Sequence, residues 1–124
     1  MTFRRFEDID AWTTARRLAK AIYSLSNTEP FRKDHGLRDQ IRRAVVSMMS
    51  NIAEGHSRRS DKEFAHFLFT AKSSAAEAQS HLYLALDQEY LTAQQFQEMF
   101  AESELYARQV SGLISYLTGH RRGS

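Results

Sequence analysis

Apolar residues recur along this chain at steps of three and four, the spacing of one face of an α-helix. Four segments show this pattern. Their approximate bounds are Glu7 or Asp10 to Leu25, Asp34 to Ala53, Ser60 to Ala85, and Thr92 to Leu117. No segment shows the strict alternation of apolar and polar residues that indicates a half-buried β-strand. The pattern therefore predicts an all-α protein with four helices.

Residues that typically begin or end helices mark the limits of these segments. The run from Asn27 to Pro30 ends the first, because proline disfavours helical conformation in the residue before it. The other predicted ends are Asp34 as the N-cap and Gly55 as the C-terminal stop of the second helix, capping boxes at Ser60/Glu63 and Thr92/Gln95, and Gly119 as the stop of the fourth.

The third segment has the most regular apolar pattern. Its seam alternates steps of four and three at Phe64, Leu68, Ala71, Ala75, Ala78, Leu82 and Ala85, which predicts near-parallel packing on a neighbouring helix. Short connections make sequential helices antiparallel neighbours. We therefore expect a single antiparallel up-down four-helix bundle over residues 1–119, with a flexible C-terminal tail at 120–124.

The composition limits the kinds of site that the chain can contain and indicates its cellular location. Cysteine is absent, which excludes disulfides and thiolate metal sites. The N-terminus does not resemble a signal peptide, and no apolar stretch approaches the roughly 20 residues of a membrane span. We expect a cytoplasmic protein without membrane contact.

Charge is distributed unevenly although the formal net charge is only +2. Residues 1–62 contain 13 Lys and Arg and 8 Asp and Glu, whereas residues 63–124 contain 4 and 7. A basic half and an acidic half favour either a polyanionic partner or head-to-tail self-association, and ordinary solvated helix faces are the simpler interpretation.

Several apolar residues remain outside the predicted core stripes. Phe69 and Tyr83 lie on a second line of the third helix, and Leu105 and Tyr106 flank the stripe of the fourth. A broad core-facing stripe would explain them. The alternative is a second buried surface. We expect a homo-oligomer with Phe69 and Tyr83 at its interface.

No catalytic pattern accompanies these helices. Glu63 and His66 form one Glu-x-x-His, but a carboxylate-bridged di-iron bundle needs two copies and two further Glu residues. A Gly-rich phosphate loop and a nucleophile elbow are both missing from the sequence. The sequence therefore predicts no enzymatic activity, no cofactor and no metal site.

A polar motif lies at the end of the second helix. Asn51 and Glu54 are one turn apart and precede Gly55. Such a pair can satisfy the backbone of the following loop or fix the register of a neighbouring helix. Contact with a ligand is the second interpretation.

Basic residues form three clusters, on the first helix, on the second helix and in the turn after Gly55. The predicted nucleic-acid-binding residues are Arg16, Arg17, Lys20, Arg38, Arg42, Arg43, Arg58 and Arg59. If packing brings two clusters together, they form a surface that follows phosphates, with salt-dependent and largely sequence-independent affinity. Surface ion pairing is the simpler interpretation.

The chain resembles a bacterial family of four-helix bundles encoded in intervening sequences of 23S ribosomal RNA genes, and is similar to the accessory protein of diversity-generating retroelements. The residues that carry the resemblance are Trp12, Ala15, Leu18, Ala19 and Tyr23; Gly36, Leu37, Gln40, Arg43, Ala44, Ser47 and the run Ser50–Gly55; and Phe64, Phe67, Leu68, Ala71, Ser74 and Glu77. The resemblance implies a homopentameric ring without catalytic residues, and links its retroelement relatives to nucleic acid and a reverse transcriptase.

Two functional hypotheses follow. The first is a non-enzymatic oligomeric bundle that binds nucleic acid, structured RNA in particular, through its arginine-rich surfaces. The alternative is a protein-interaction scaffold, or an accessory subunit that docks a partner such as a reverse transcriptase without touching nucleic acid. Salt sensitivity separates the two, because phosphate contacts weaken steeply with added salt.

Overall fold

Four α-helices account for most of the structure, a computed structural model that describes residues 3–119. The helices are α1 (Asp10–Ser26), α2 (His35–His56), α3 (Asp61–Asp87) and α4 (Ala93–Thr118), and short 3-10 turns at Phe6–Asp8 and Phe31–Lys33 precede α1 and α2. Residues 3–119 contain no strand, so the predicted all-α class is confirmed. The predicted tail at 120–124 lies outside the described residues.

The capping residues named from sequence begin α3 and α4. The Thr92 hydroxyl accepts from the Gln95 amide at 3.1 Å, and the Gln95 side chain accepts from the Thr92 amide at 2.9 Å. This confirms the predicted capping box of α4. At α3 the Ser60 hydroxyl accepts from the Glu63 amide at 3.1 Å, but no bond returns from the Glu63 side chain in the part of the chain described. The predicted capping box of α3 is therefore only half formed.

Of the other predicted ends of α2 and α4, two are confirmed and one is wrong. The Asp34 carboxylate caps α2 by accepting from the Leu37 amide at 3.2 Å, and Gly119 ends α4 with a left-handed φ of 76°. The prediction that Gly55 stops α2 was wrong, because α2 continues to His56. Gly55 is buried inside the helix, where the absence of a side chain lets α3 approach closely.

Each helix packs against two others, as in an up-and-down four-helix bundle: α1 against α2 and α4, and α3 against α2 and α4. The Thr14 hydroxyl donates to Gln109 at 2.8 Å, and Arg17 pairs with Glu102 at 3.1 Å. Because the later α1 residue meets the earlier α4 residue, these two helices run in opposite directions. The turns 57–60 and 88–92 are short, so α3 reverses direction relative to α2 and to α4.

The core follows the predicted stripes. All seven seam residues of α3, from Phe64 to Ala85, are buried, and so are Ile41, Val45 and Met48 of α2. Burying a complete Val, Leu, Ile or Met side chain contributes on the order of 1.5–3 kcal/mol to the stability of the fold. The alanines of α3 contribute less area but allow the close α2–α3 packing.

Tyr106 belongs to this same core. Of the two interpretations of Tyr106, the broad core-facing stripe is supported and the second surface is not, because the side chain is 0% exposed. Its hydroxyl donates to the Met48 carbonyl at 2.8 Å, which links α4 to α2 across the interior. Burial raises the pKa of Tyr106, since the phenolate would lose its hydration there.

The length and apolar content that a membrane crossing requires are not combined in any helix within residues 3–119.

Candidate nucleic-acid interface

The uneven distribution of charge along the sequence gives the folded bundle two oppositely charged sides. Helices α1 and α2 together contain six Lys and Arg and three Asp and Glu, a net +3, whereas α3 and α4 contain three and seven, a net −4. Since α1 packs on α2 and α3 packs on α4, each pair forms one side. We call the solvent-facing surface of α1 and α2 the basic side; it includes Arg16, Lys20, Tyr23, Arg42 and Arg43.

Arg42 is the most constrained of the predicted phosphate-binding residues. Its Nε donates to the Ser26 hydroxyl at 2.8 Å, and its Nη2 donates to the Tyr23 carbonyl at 3.3 Å. Its guanidinium also lies over the Tyr23 ring, 4.5 Å from the centroid. A cation that bonds the last carbonyl groups of a helix stabilises the helix end. Arg42 therefore has a structural role at the C-terminus of α1.

Arg17 and Arg38 are also engaged within the chain. Arg17 pairs with Glu102 of α4 at 3.1 Å. Arg38 lies 3.3 Å from the Asp39 carboxylate and donates to the Arg32 carbonyl at 3.1 Å. These ion pairs reduce the charge that either arginine can offer to a phosphate, so both contribute less to an anion-binding surface than the sequence suggested.

The remaining predicted cations are available to an anion. Arg16 lies over the Trp12 ring, 5.6 Å from its centroid, and leaves its charge exposed. Lys20, Arg43 and Arg59 are exposed and have no hydrogen bond or ion pair within residues 3–119. Lys20 and Arg43 are both on the basic side, where no internal carboxylate neutralises them.

The structure brings two of the three predicted clusters together. Arg16, Lys20 and Tyr23 follow one another at helical spacing on α1, and Arg42 reaches Tyr23 from α2. The cluster after Gly55 lies far from Arg42, because Arg58 is 16 residues beyond it, roughly 24 Å along the helix axis.

Arg58 and Arg59 lie at the end of the bundle where the chain enters α1. The Arg58 guanidinium is 4.6 Å from the centroid of the Phe67 ring. Arg59 lines a hollow of about 180 Å³ together with Phe3 and His56. The His56 ring nitrogen Nε2 is 2.8 Å from the Phe3 carbonyl oxygen, which holds the entering segment against the end of α2. These arginines form a second, smaller basic site.

Asn51 and Glu54 do not act as a pair. The Asn51 amide donates to the carbonyl and the hydroxyl of Ser47, both at 2.9 Å. The Ser47 hydroxyl in turn bonds the Ser74 hydroxyl of α3 at 2.7 Å. This chain of bonds supports the structural interpretation of Asn51, because it fixes α2 against α3. Glu54 is exposed and its side chain makes no bond within residues 3–119.

Metal-binding geometry is not found at the Glu-x-x-His pattern. In residues 3–119 no three His, Asp or Glu side chains are grouped so that they could hold a metal ion. Glu63 is exposed in the first turn of α3, and the His66 ring meets the edge of Phe67 with centroids 6.0 Å apart. The pattern is explained by these local contacts.

Sequence reasoning overlooked the aromatic residues that accompany the basic clusters. Trp12, Tyr23 and Phe67 each hold an arginine against their ring. The four-residue spacing of Trp12 and Arg16 on one helix is a signal that the sequence does contain. The other two pairs join residues of different segments, so only the tertiary structure reveals them.

These features define a class: a four-helix bundle with one basic and one acidic side, and no grouped metal ligands in the described chain. The chain belongs to the 23S rRNA-intervening sequence protein family, which matches residues 7–112. The predicted family resemblance is thereby confirmed.

A solved structure shares the fold. It is described as a protein with unknown function from the S23 ribosomal protein family of Bacteroides thetaiotaomicron VPI-5482. It is 24% identical in sequence, the match covers 84% of this chain and 97% of that chain, and the TM-score is 0.76. A search of curated proteins gave no match. Neither the family description nor that of the solved structure names an enzymatic activity.

Proposed function

We propose that this protein is a non-enzymatic, oligomeric helical bundle that binds nucleic acid, structured RNA in particular, through its basic side. The observation that carries the proposal is the pair Lys20 and Arg43. Both are exposed on that side and have no internal partner in the described residues. Arg16 adds a third exposed charge, and the acidic residues are concentrated on α3 and α4.

Phosphate binding by such residues has a simple physical basis. A lysine or arginine that neutralises a phosphate releases condensed counterions, so affinity falls with added salt in proportion to the number of contacts. Cations already paired with carboxylates, such as Arg17, gain less. Arg16, Lys20 and Arg43 therefore form the centre of the proposed interface, and Arg58 and Arg59 form a second contact point.

The test compares two double variants with the same change in charge. Lys20→Glu with Arg43→Glu removes the exposed cations of the basic side. Lys72→Glu with Arg108→Glu makes the same change of four charge units on α3 and α4, at two exposed residues that also lack internal partners in the described residues. RNA affinity is measured by fluorescence anisotropy from low to moderate salt, and circular dichroism checks the helical content of each variant.

The first variant should lose most of its low-salt affinity, and the slope of log affinity against log salt should fall by roughly 1.5–2, as expected for two lost phosphate contacts. The second should bind nearly as the parent protein does. Equal losses in both variants would mean that only total charge matters. Unchanged binding by the first variant would overturn the proposed interface.

Self-association is the second part of the proposal. Phe69 and Tyr83 are 54% and 53% exposed on the single chain, and such large apolar surfaces typically mark an interaction site. They lie on the side opposite to the basic side, so an oligomer that buries them leaves α1 and α2 open. The family resemblance implies five subunits, and several weak basic sides in one assembly would bind a polyanion through avidity.

The alternative function uses the same apolar residues to dock a different protein, such as a reverse transcriptase, without contact to nucleic acid. Tyr83 favours it, because it packs with Phe96 and Phe100 at centroid distances of 5.0 and 5.4 Å and presents an aromatic cluster to solvent. Docking of this kind should resist salt, whereas phosphate binding should not.

A further inference from the structure

Two aromatic rings on the basic side are each held by an arginine. Trp12 and Tyr23 are 11 residues apart on α1, which is about three helical turns and roughly 16 Å along one face. The Arg16 guanidinium lies 5.6 Å from the Trp12 centroid and that of Arg42 lies 4.5 Å from the Tyr23 centroid. Tyr23 remains 42% exposed, whereas Trp12 is half-buried and packs in part against the core.

Both rings are braced by their surroundings. Arg42 is itself fixed by bonds to the Ser26 hydroxyl and the Tyr23 carbonyl, so it holds the Tyr23 ring in one orientation. The Trp12 ring packs edge-to-face against Phe6 at a centroid distance of 5.1 Å. A ring that is already positioned loses little conformational entropy when a ligand stacks on it.

A free cation lies between the two rings. Lys20 is exposed on the same face of α1, and no internal carboxylate pairs with it in the described residues. The only acidic residue of α1 is Asp10, in the first turn. The row Trp12, Arg16, Lys20, Tyr23 thus places two positive charges between two planar rings, the combination that binds single-stranded nucleic acid through base stacking and phosphate contacts.

We propose that the basic side binds unpaired nucleotides of an RNA, with Trp12 and Tyr23 as base-stacking residues and Lys20 as a phosphate contact between them. This inference rests on the proposed function and specifies the nucleic acid that the site prefers. Bases inside a duplex are stacked on one another and cannot reach these rings, whereas the unpaired bases of loops and ends can. The site should therefore prefer single strands to duplexes of equal charge.

Trp12 provides a direct probe, since it is the only tryptophan in the chain. The full-length protein is titrated with a 24-nucleotide oligoadenylate RNA and, separately, with a 12-base-pair RNA duplex, which carries nearly the same number of phosphates. The single strand should quench Trp12 fluorescence and shift its emission, because a stacked base replaces water at the ring. The duplex should bind through its phosphates and leave the Trp12 emission nearly unchanged.

Two substitutions at one position isolate the contribution of stacking. Tyr23→Leu removes the ring, whereas Tyr23→Phe keeps it and removes only the hydroxyl; both retain the backbone carbonyl that Arg42 bonds. Tyr23→Leu should lower single-strand affinity by about five- to 150-fold, the range for losing one stacked base, with little change in duplex affinity. Tyr23→Phe should bind both probes as the parent protein does.

The outcomes separate this inference from the proposed function. Salt-dependent binding of single strand and duplex with equal affinity, without quenching of Trp12, would overturn the stacking site and leave the basic interface standing. An equal loss in Tyr23→Leu for both probes would also overturn it. Failure of the parent protein to bind either probe at low salt would overturn both proposals.

Discussion

At the scale of single residues, Gly55 shows how an absent side chain sets the distance between two helices. A Cβ atom at this position would lie 2.8 Å from Phe64 Cδ1 and 2.9 Å from Phe67 Cβ. Both distances are shorter than any ordinary carbon–carbon contact. Gly55 therefore allows the start of α3 to pack against the end of α2, and it positions Phe67 beside Arg58.

We expect Gly55→Ala to lower the free energy of unfolding by about 1–3 kcal/mol, because α3 must move away to admit the methyl group. Urea denaturation at fixed protein concentration measures the change. Gly112→Ala is the matched control, since Gly112 is helical and nothing lies within 4 Å of a Cβ there. It should gain about 0.5–1 kcal/mol from helix propensity alone. A similar gain at Gly55 would contradict the close-approach explanation.

Arg42 shows that the role of a charged residue depends on its tertiary contacts. Its sequence position gives a basic residue on a helix with other arginines, which predicts a phosphate contact. In the fold its guanidinium bonds Ser26 and Tyr23 and so completes the end of α1. The charge stays on the basic side, but substitution of Arg42 would disturb a helix end as well as the proposed binding surface. Lys20 and Arg43 are better test positions for that reason.

At the scale of elements, the turn that ends α3 contains a residue with a strained backbone conformation. The Tyr90 amide donates to the Ala85 carbonyl and the Glu89 amide donates to the Leu86 carbonyl, both at 2.9 Å. This bond pattern is a Schellman motif, whose left-handed position is usually glycine. Here Glu89 takes that conformation with a φ of 63°, which costs a residue with a Cβ about 1 kcal/mol or more.

We expect Glu89→Gly to raise the free energy of unfolding by about 0.5–1 kcal/mol, because glycine adopts the left-handed conformation without steric cost. Glu89→Ala is the control: it removes the same charge but keeps the Cβ, so it should bring no comparable gain. Thermal and urea unfolding of the two variants decide the matter. Equal stabilisation by both would assign the effect to charge and not to backbone conformation.

The same turn connects to the start of α2. The Tyr90 hydroxyl donates to Asp34 Oδ2 at 2.9 Å, and the Tyr90 ring stacks on Phe31 at 5.0 Å between centroids. The bond to Asp34 raises the pKa of the Tyr90 hydroxyl. The α3–α4 turn and the N-cap of α2 therefore share one carboxylate, which ties the two connections at this end of the bundle together.

At the scale of the whole molecule, the exposed aromatic residues of α3 lie opposite the basic side. Phe69 and Tyr83 are 14 residues apart, about four turns, and so share a face of the helix. The Phe69 end of this surface borders a hollow of about 450 Å³ that Leu117 and Ala65 also line. A surface of this kind would be stabilised by contact with another chain.

We expect Phe69→Ser with Tyr83→Ser to convert the proposed oligomer to smaller species, because the substitutions remove two large exposed apolar side chains that association would bury. Light scattering coupled to size exclusion measures the mass. Tyr23→Ser with Val46→Ser is the control, since these residues are 42% and 46% exposed on the basic side and should leave the mass unchanged. A parent protein that is monomeric at micromolar concentration would contradict the proposed assembly.

The helices and most of their ends could be predicted from the sequence because the signals are local. The seam of α3, the Asp34 cap and the Thr92/Gln95 box each depend on residues within a few turns of one another, where periodicity and capping chemistry act directly. The uneven distribution of charge could also be predicted from the sequence, because the basic helices are consecutive in the chain. That order indicates which pair of helices forms the basic side.

The tertiary structure decided which of these residues are free to act. Tyr106 bonds Met48 across 58 positions, Arg17 pairs with Glu102 across 85, and Arg42 reaches Ser26 across 16. Such contacts depend on how the helices pack, and sequence spacing alone does not encode them. The sequence by itself therefore determined four amphipathic helices and a basic half, while packing decided which arginines are neutralised by internal partners and which rings and cations still face solvent.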